Sequence, residues 1–159
     1  MKYKLLAPVL PANEEVRNFL ATEHQYCLQF CKKVRTGLQH NVDPDRIKRY
    51  SDWFFATYIS AQFAVEEELL YTLLPGNDTN IRRAMAEHRR IRRLFEDTRQ
   101  VEKSLSLLEE EFELHLRYEE LILYPKIRKA ASLDSLDDFG MRYSPVVFLE
   151  NTGDMFWRI

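Results

Sequence analysis

The chain has 159 residues, 45% of them apolar and 30% charged, with a net charge of −2. That length suits one domain with a hydrophobic core, and the near-neutral charge argues against a general nucleic-acid or membrane-surface role. No run approaches the about 18–20 apolar residues that cross a bilayer, and four glycines and six prolines are too few for a turn-rich β fold.

"LLAPVLPAN" near the start is too short and too proline-interrupted for a signal peptide. Asn13, followed by Glu14 and Glu15, reads as a helix N-cap with acidic first-turn residues. The first helix is expected over 13–39, with His40 as a C-terminal cap residue. Asp43 before Pro44 caps a second helix, 44–74. "PGNDTN" (75–80) is a break, and Asp78 or Thr79 opens a third helix, 79–98. The break within "DTRQVEKS" (97–104) has no glycine or proline to fix it, and a fourth helix follows over 103–131. Short connections favour an all-α, antiparallel up-down-up-down four-helix bundle over 1–131. Residues 132–159 show no sustained helical period and read as an irregular C-terminal tail. Its aromatics (Phe139, Tyr143, Phe148, Phe156, Trp157) are too many for a disordered segment. The tail is expected to hold firmly around Pro145–Leu149 and Met155–Ile159. It would cover the helix 1–helix 4 flank or join a second copy in a homodimer.

The apolar seams step by three and four residues. Helix 1 contributes Leu20, His24, Cys27, Cys31, Val34 and Leu38. Helix 2 contributes Phe55, Ile59, Gln62, Glu66, Leu69 and Leu73. Helix 3 contributes Ile81, Ala84 or Met85, His88, Ile91 and Phe95. Helix 4 contributes Leu105, Leu108, Phe112, His115, Glu119 and Ile122. Every seam is interrupted by His, Glu or Gln. At about 1.5 Å rise per residue, Glu66 is level with His88, and His88 with His115. His24 joins them if helix 2 starts beyond the end of helix 1. A single His–Glu pair is explained by a hydrogen bond. Five such residues at one level call for a divalent cation, because burying unpaired carboxylates costs several kcal/mol, roughly. Imidazole and carboxylate without thiolate suit iron or manganese, with zinc as an adventitious occupant. Helix-bundle cores house dinuclear sites of this kind.

Cys27 and Cys31, one turn apart, read as buried structural thiols of a reduced, cytoplasmic protein. The arginines Arg82, Arg83, Arg89, Arg90, Arg92 and Arg93 read as a solvated face, with "EEEFE" (109–113) as nearby partners. Tyr58, Tyr118 and Tyr124 lie on or beside the helices that carry the polar layer. Packing is their simplest role, although a phenol near a metal can tune it or limit access.

The segments "EHQYCLQFCKKV" (23–34), "FAVEEELLYTLLP" (63–75), "AEHRRIRRL" (86–94) and "LHLRYEELILYPKI" (114–127) resemble the hemerythrin-like (HHE cation-binding) family. The resemblance covers roughly 15–130. It implies a four-helix bundle around a non-haem, usually di-iron, centre that binds oxygen or serves redox, nitrosative or iron sensing. It also implies His24, Glu66, His88, His115 and Glu119 as ligands to one or two iron ions or another divalent metal. The two glutamates would bridge, with His88 and His115 on one metal and His24 on the other. Two positions depart from the family pattern. Gln62 stands where a histidine is expected and offers a weaker ligand, and Ala84 stands where oxygen carriers have a second histidine. The implied partner is a dioxygen, peroxide or nitric oxide ligand, with neither nucleic acid nor membrane. The alternative is a helical interaction or regulatory module that has lost stable metal binding.

Overall fold

The computed structural model describes residues 12–143 and 147–159, with side chains from Ala21 onward. The described residues form five helices and no strand: α1 (Ala12–Gln39), α2 (44–73), α3 (Thr79–Glu96), α4 (101–130) and α5 (Leu133–Arg142). None is long and apolar enough to cross a membrane. α1 packs along α4, α3 packs against α4, and α5 lies across α1 and the far end of α2.

Most helix ends follow the expected local chemistry. The Asp43 carboxylate accepts from Asp45 N at 3.0 Å ahead of Pro44. Asp78 accepts from Asn80 N and Ile81 N at 2.8 and 3.2 Å. His40 Nδ1–H donates to the Thr36 carbonyl at 2.9 Å, and Asn41, at φ 54°, turns the chain out of α1. Asn13 lies inside α1, and the cap of that helix falls outside the described residues. The third break is fixed by Asp97. Its carboxylate accepts from Arg99 N, Gln100 N and, at 2.6 Å, Ser104 Oγ, so α3 ends at Glu96 and α4 starts at Val101.

Two of the helices are not regular, and this corrects the expected seams. α2 contains π-helical turns at Phe55–Ile59 and Glu66–Leu70, and α4 contains one at Glu119–Leu123. A π turn inserts one residue and rotates every later side chain around the axis. After Glu66 the buried residues are therefore Leu70, Tyr71 and Leu74, while Leu69 and Leu73 are only half-buried. After Glu119 the buried residues are Leu123, Tyr124 and Ile127, and Ile122 is 48% exposed. Pro125 supplies a local cause in α4. It cannot donate to the carbonyl four residues back, so the chain widens just before it.

The C-terminal segment is the second correction. The tail is not irregular throughout. Ser132 caps α5 through Ser135 N at 3.1 Å, and Leu136, Phe139 and Tyr143, spaced by three and four, are buried. Residues 147–159 then cover the α1–α2 side, not the α1–α4 flank. Phe148 meets Tyr26, Trp53, Phe54 and Tyr58. Phe156 meets Tyr50 and sits against Gly37, where a Cβ would stand 2.8 Å from its ring. Arg46 clasps Asp154 with two hydrogen bonds of 2.7 and 2.9 Å. The physical reason is that the exposed aromatic surface lies between α1 and α2. The α1–α4 flank is already closed by Arg35 bonding Glu109 and Glu113. Pro145 and Val146 lie outside the described residues.

Two apolar clusters result. One surrounds Cys27, Phe30, Phe54 and Phe112. The other surrounds Leu70, Ala84, Leu123 and Phe139. The polar layer lies between them.

Candidate metal centre

Glu66, His88, His115 and Glu119 converge from α2, α3 and α4, each at most 1% exposed. One ligand atom from each lies within 4.8 Å of the other three. His88 Nε2 stands 3.0 Å from Glu66 Oε2, and His115 Nε2 stands 2.9 Å from Glu119 Oε1. Of these atoms, Glu66 Oε2, His115 Nε2 and Glu119 Oε1 have no hydrogen-bond partner although they are buried. The His115–Glu119 contact is thus at hydrogen-bonding distance but off the line a hydrogen bond needs. Two ligands about 2.1 Å from one ion and at right angles stand about 3.0 Å apart. The donor set, its spacing and its orphaned lone pairs fit a divalent cation.

His24 is buried beside this cluster but is not one of the four. Its Nε2 is 3.7 Å from Glu119 Oε1 and bonds the Tyr124 hydroxyl at 3.0 Å. Gln62 enters differently from the expected weak ligand. Its carbonyl accepts from the Cys27 thiol at 3.4 Å, and its amide faces Glu66 Oε1 at 3.4 Å. It therefore acts as a donor to a carboxylate. Ala84 is fully buried in the apolar cluster and brings no ligand atom.

Of the three buried histidines, two are held from behind by a carboxylate that sequence reasoning missed, and the third faces one beyond hydrogen-bond reach. His88 Nδ1 bonds Glu67 Oε1 at 2.8 Å, and His24 Nδ1 bonds Glu120 Oε1 at 3.0 Å. His115 Nδ1 faces Glu87 Oε1 at 3.6 Å. Such partners fix the tautomer and aim Nε2 inward, as they do for metal-bound imidazoles. The signal was present as doublets: Glu66-Glu67 and Glu119-Glu120 set the second carboxylate about 100° around the helix from the first. Tyr71 was also missed. Its hydroxyl lies 3.1 Å from His88 Nε2 and donates to Glu119 Oε2 at 2.9 Å. Tyr118 instead bonds Asn80, and Tyr58 lies in the aromatic cluster.

The electrostatics follow from charges packed without water. Burial works against a charged His115, but Glu119 outweighs it and pushes this imidazole up to about 10. Burial likewise opposes charge on His24 and His88, yet Glu120 for one and Glu66 and Glu67 for the other raise both. Glu119 is held well below the usual carboxylate range, the three histidines outweighing its burial. Burial pushes the Cys27 and Cys31 thiols up, and burial with Glu119 and Glu66 nearby does the same to the Tyr71 and Tyr124 phenols in the absence of metal. Burial, with Glu66 nearby, raises Glu23 to about 8; it accepts from the Tyr143 hydroxyl at the end of α5.

The arginine face is partly tied to the same carboxylates. Arg92 pairs with Glu67 at 2.9 Å and Arg83 with Glu87 at 3.5 Å, while Arg90 takes Glu111 at 3.1 Å. A cavity of about 220 Å³ between α3 and α4, lined by Arg83, Glu87, Arg90 and Leu114, reaches His115 from outside.

The family model of the hemerythrin HHE cation-binding domain matches residues 16–104. That segment holds His24, Glu66 and His88, whereas His115 and Glu119 lie beyond it. Comparison with curated proteins and with solved structures returns no match. The match spans more than half of the chain, and the helical fold buries a His/Glu cluster able to hold a metal. The chain therefore belongs to the hemerythrin HHE cation-binding domain family.

Proposed function

We propose that this protein is a non-haem iron protein that holds one or two ions and binds or senses a small ligand such as dioxygen, peroxide or nitric oxide. The observation that carries this reading is the convergence of Glu66, His88, His115 and Glu119 with buried lone pairs left unpartnered. A nitrogen and oxygen donor set without thiolate favours iron or manganese. Bound iron supplies a redox-active Lewis acid with room for an added ligand. Glu66 and Glu119 offset cationic charge. Glu67 and Glu120 keep the His88 and His24 imidazoles aimed at the centre, and Glu87 faces His115. The cavity beside His115 offers a small molecule a way in. α1 to α4 read as an antiparallel bundle, supported by the short connections 40–43, 74–78 and 97–100. Two buried free thiols are in keeping with a reducing, cytoplasmic setting.

Metal analysis tests the reading, on protein expressed with iron and purified without chelator or metal-affinity resin. The expected result is one to two iron atoms per chain, lost in a His115→Ala, Glu119→Ala double variant. Full iron occupancy in that variant would remove the site. Metal-free wild-type protein would instead favour an interaction module, the reading that Gln62 and Ala84 keep open.

A further inference from the structure

The six residues from Glu66 and the six from Glu119 share one pattern, EEELLY and EELILY. Each opens on a carboxylate of the cluster. Each follows it with the carboxylate that receives a histidine Nδ1 proton, Glu67 for His88 and Glu120 for His24. Each ends on a tyrosine five residues on. The two π turns give that spacing its meaning. Tyr71 N–H bonds the Glu66 carbonyl, and Tyr124 N–H bonds the Glu119 carbonyl. A π turn brings residue i+5 back over residue i, whereas a regular α-helix would leave it about 140° away.

The tyrosines then cross over. Tyr71 Oη meets His88 Nε2 at 3.1 Å and Glu119 Oε2 at 2.9 Å. Tyr124 Oη meets His24 Nε2 at 3.0 Å and Glu66 Oε1 at 3.2 Å. Each phenol thus touches the histidine oriented by its own segment and the glutamate of the other segment. The site has a local pseudo-twofold order.

A count of protons shows what these oxygens face. Both imidazoles commit an Nδ1 proton to a carboxylate, so a neutral ring presents only a lone pair at Nε2. Each phenol then has one proton for two acceptors. Extra protons on the imidazoles can fill that shortage, and so can metal cations. Glu66 is already split between the two places, with Oε2 toward His88 and Oε1 toward Tyr124.

We propose that Tyr71 and Tyr124 are metal ligands through their phenol oxygens, one at each of two metal positions. The first position is bounded by His88, His115 and Tyr71, and the second by His24 and Tyr124, with Glu66 and Glu119 shared. The inference rests on the metal-binding reading above. At the second position Tyr124 supplies the donor that Gln62 does not, because that carboxamide is engaged by Cys27 and Glu66. On binding, each phenol O–H bond is replaced by a metal–oxygen bond and the proton leaves to solvent. Tyrosine oxygen is an established ligand for ferric iron. Two phenolates with two carboxylates carry four negative charges, matching two ferrous ions; when loading is done in air, dioxygen is the oxidant that takes iron to the ferric state.

The test uses the full chain loaded with iron in air, read by iron content, visible absorption and resonance Raman. Wild-type protein should show phenolate-to-ferric charge transfer with enhanced tyrosine ring modes. Tyr71→Phe and Tyr124→Phe should each lose part of the band, and the double variant all of it, with helical circular dichroism unchanged. Tyr124→Phe should also lower iron content from two toward one. Wild-type protein that binds iron without the band, or a double variant that keeps it, overturns this proposal and leaves the metal-binding reading standing. Wild-type protein that binds no iron overturns both.

Discussion

Replacing Glu67 by glutamine keeps the size of the side chain and removes the charge behind His88. The structure ranks this change against its two counterparts. Glu67 Oε1 is 2.8 Å from His88 Nδ1 and only 20% exposed, so the hydrogen bond is short, charge-assisted and shielded. Glu120 is 3.0 Å from His24 Nδ1 but 44% exposed, where solvent screens it. Glu87 is 3.6 Å from His115 Nδ1, beyond a direct hydrogen bond. Loss of such an outer partner lowers metal affinity about 10–100-fold, or about 1.4–2.7 kcal/mol. Glu67→Gln should fall in that range, Glu120→Gln should lose less than about tenfold, and Glu87→Gln should lose least. Arg92→Met, which removes the other partner of Glu67 but keeps the carboxylate, should change affinity little. Competition titration with a chromogenic chelator measures all four. Equal losses at the three glutamates, or a larger loss at Glu87 than at Glu67, would refute the orienting role.

Three further outcomes follow from the geometry. In metal-free protein His115 is raised to about 10 and Glu119 is depressed. The stability from the raised imidazole is full below the ordinary histidine value of about 6.5 and is lost as pH rises through about 10. The stability from Glu119 is lost on acidification below the ordinary carboxylate range. The melting temperature of the metal-free protein should therefore fall from pH 6.5 to 10, and metal binding at pH 7 should release protons in a weakly buffered calorimetric titration; a melting temperature rising over that range, or binding without proton release, would contradict the assignment. Leu123→Ala should cost about 2–5 kcal/mol in urea unfolding, while Ile122→Ser should stay within about 1 kcal/mol; a regular helix through Glu119 would give the reverse order. Phe156→Ala, at a position 3% exposed against Gly37 and Tyr50, should cost about 3 kcal/mol or more and leave metal affinity unchanged; unaltered stability would mean the segment is not docked in solution.

Much of this protein is settled by short-range sequence chemistry. The Asp43-Pro44 and Asp78 caps start α2 and α3 because they depend on atoms two or three residues away. The placement of His24, Glu66, His88, His115 and Glu119 on buried faces follows from three-and-four spacing, because each lies on or at the end of a regular stretch, which for Glu66 is Ser60–Val65 between the two π turns of α2. Beyond Glu66 and Glu119 the spacing fails, since a one-residue π insertion is located only by the backbone hydrogen bonds, even in α4 where Pro125 supplies a local cause. Ile122 was expected inside for that reason, and Tyr71 went unseen. The five-residue step from each glutamate to its tyrosine has meaning only on the wider turn. The carboxylates behind the histidines are a tertiary matter too: Glu120 reaches His24 across 96 residues of chain, and no local pattern pairs them. Gln62 looked like a weakened ligand because only the fold sets Cys27 against its carbonyl. The C-terminal segment announced its aromatics but not their destination. Docking on α1 and α2 was decided by where Tyr26, Tyr50 and Trp53 left an apolar groove, and by the Arg35 ion pairs that close the opposite flank.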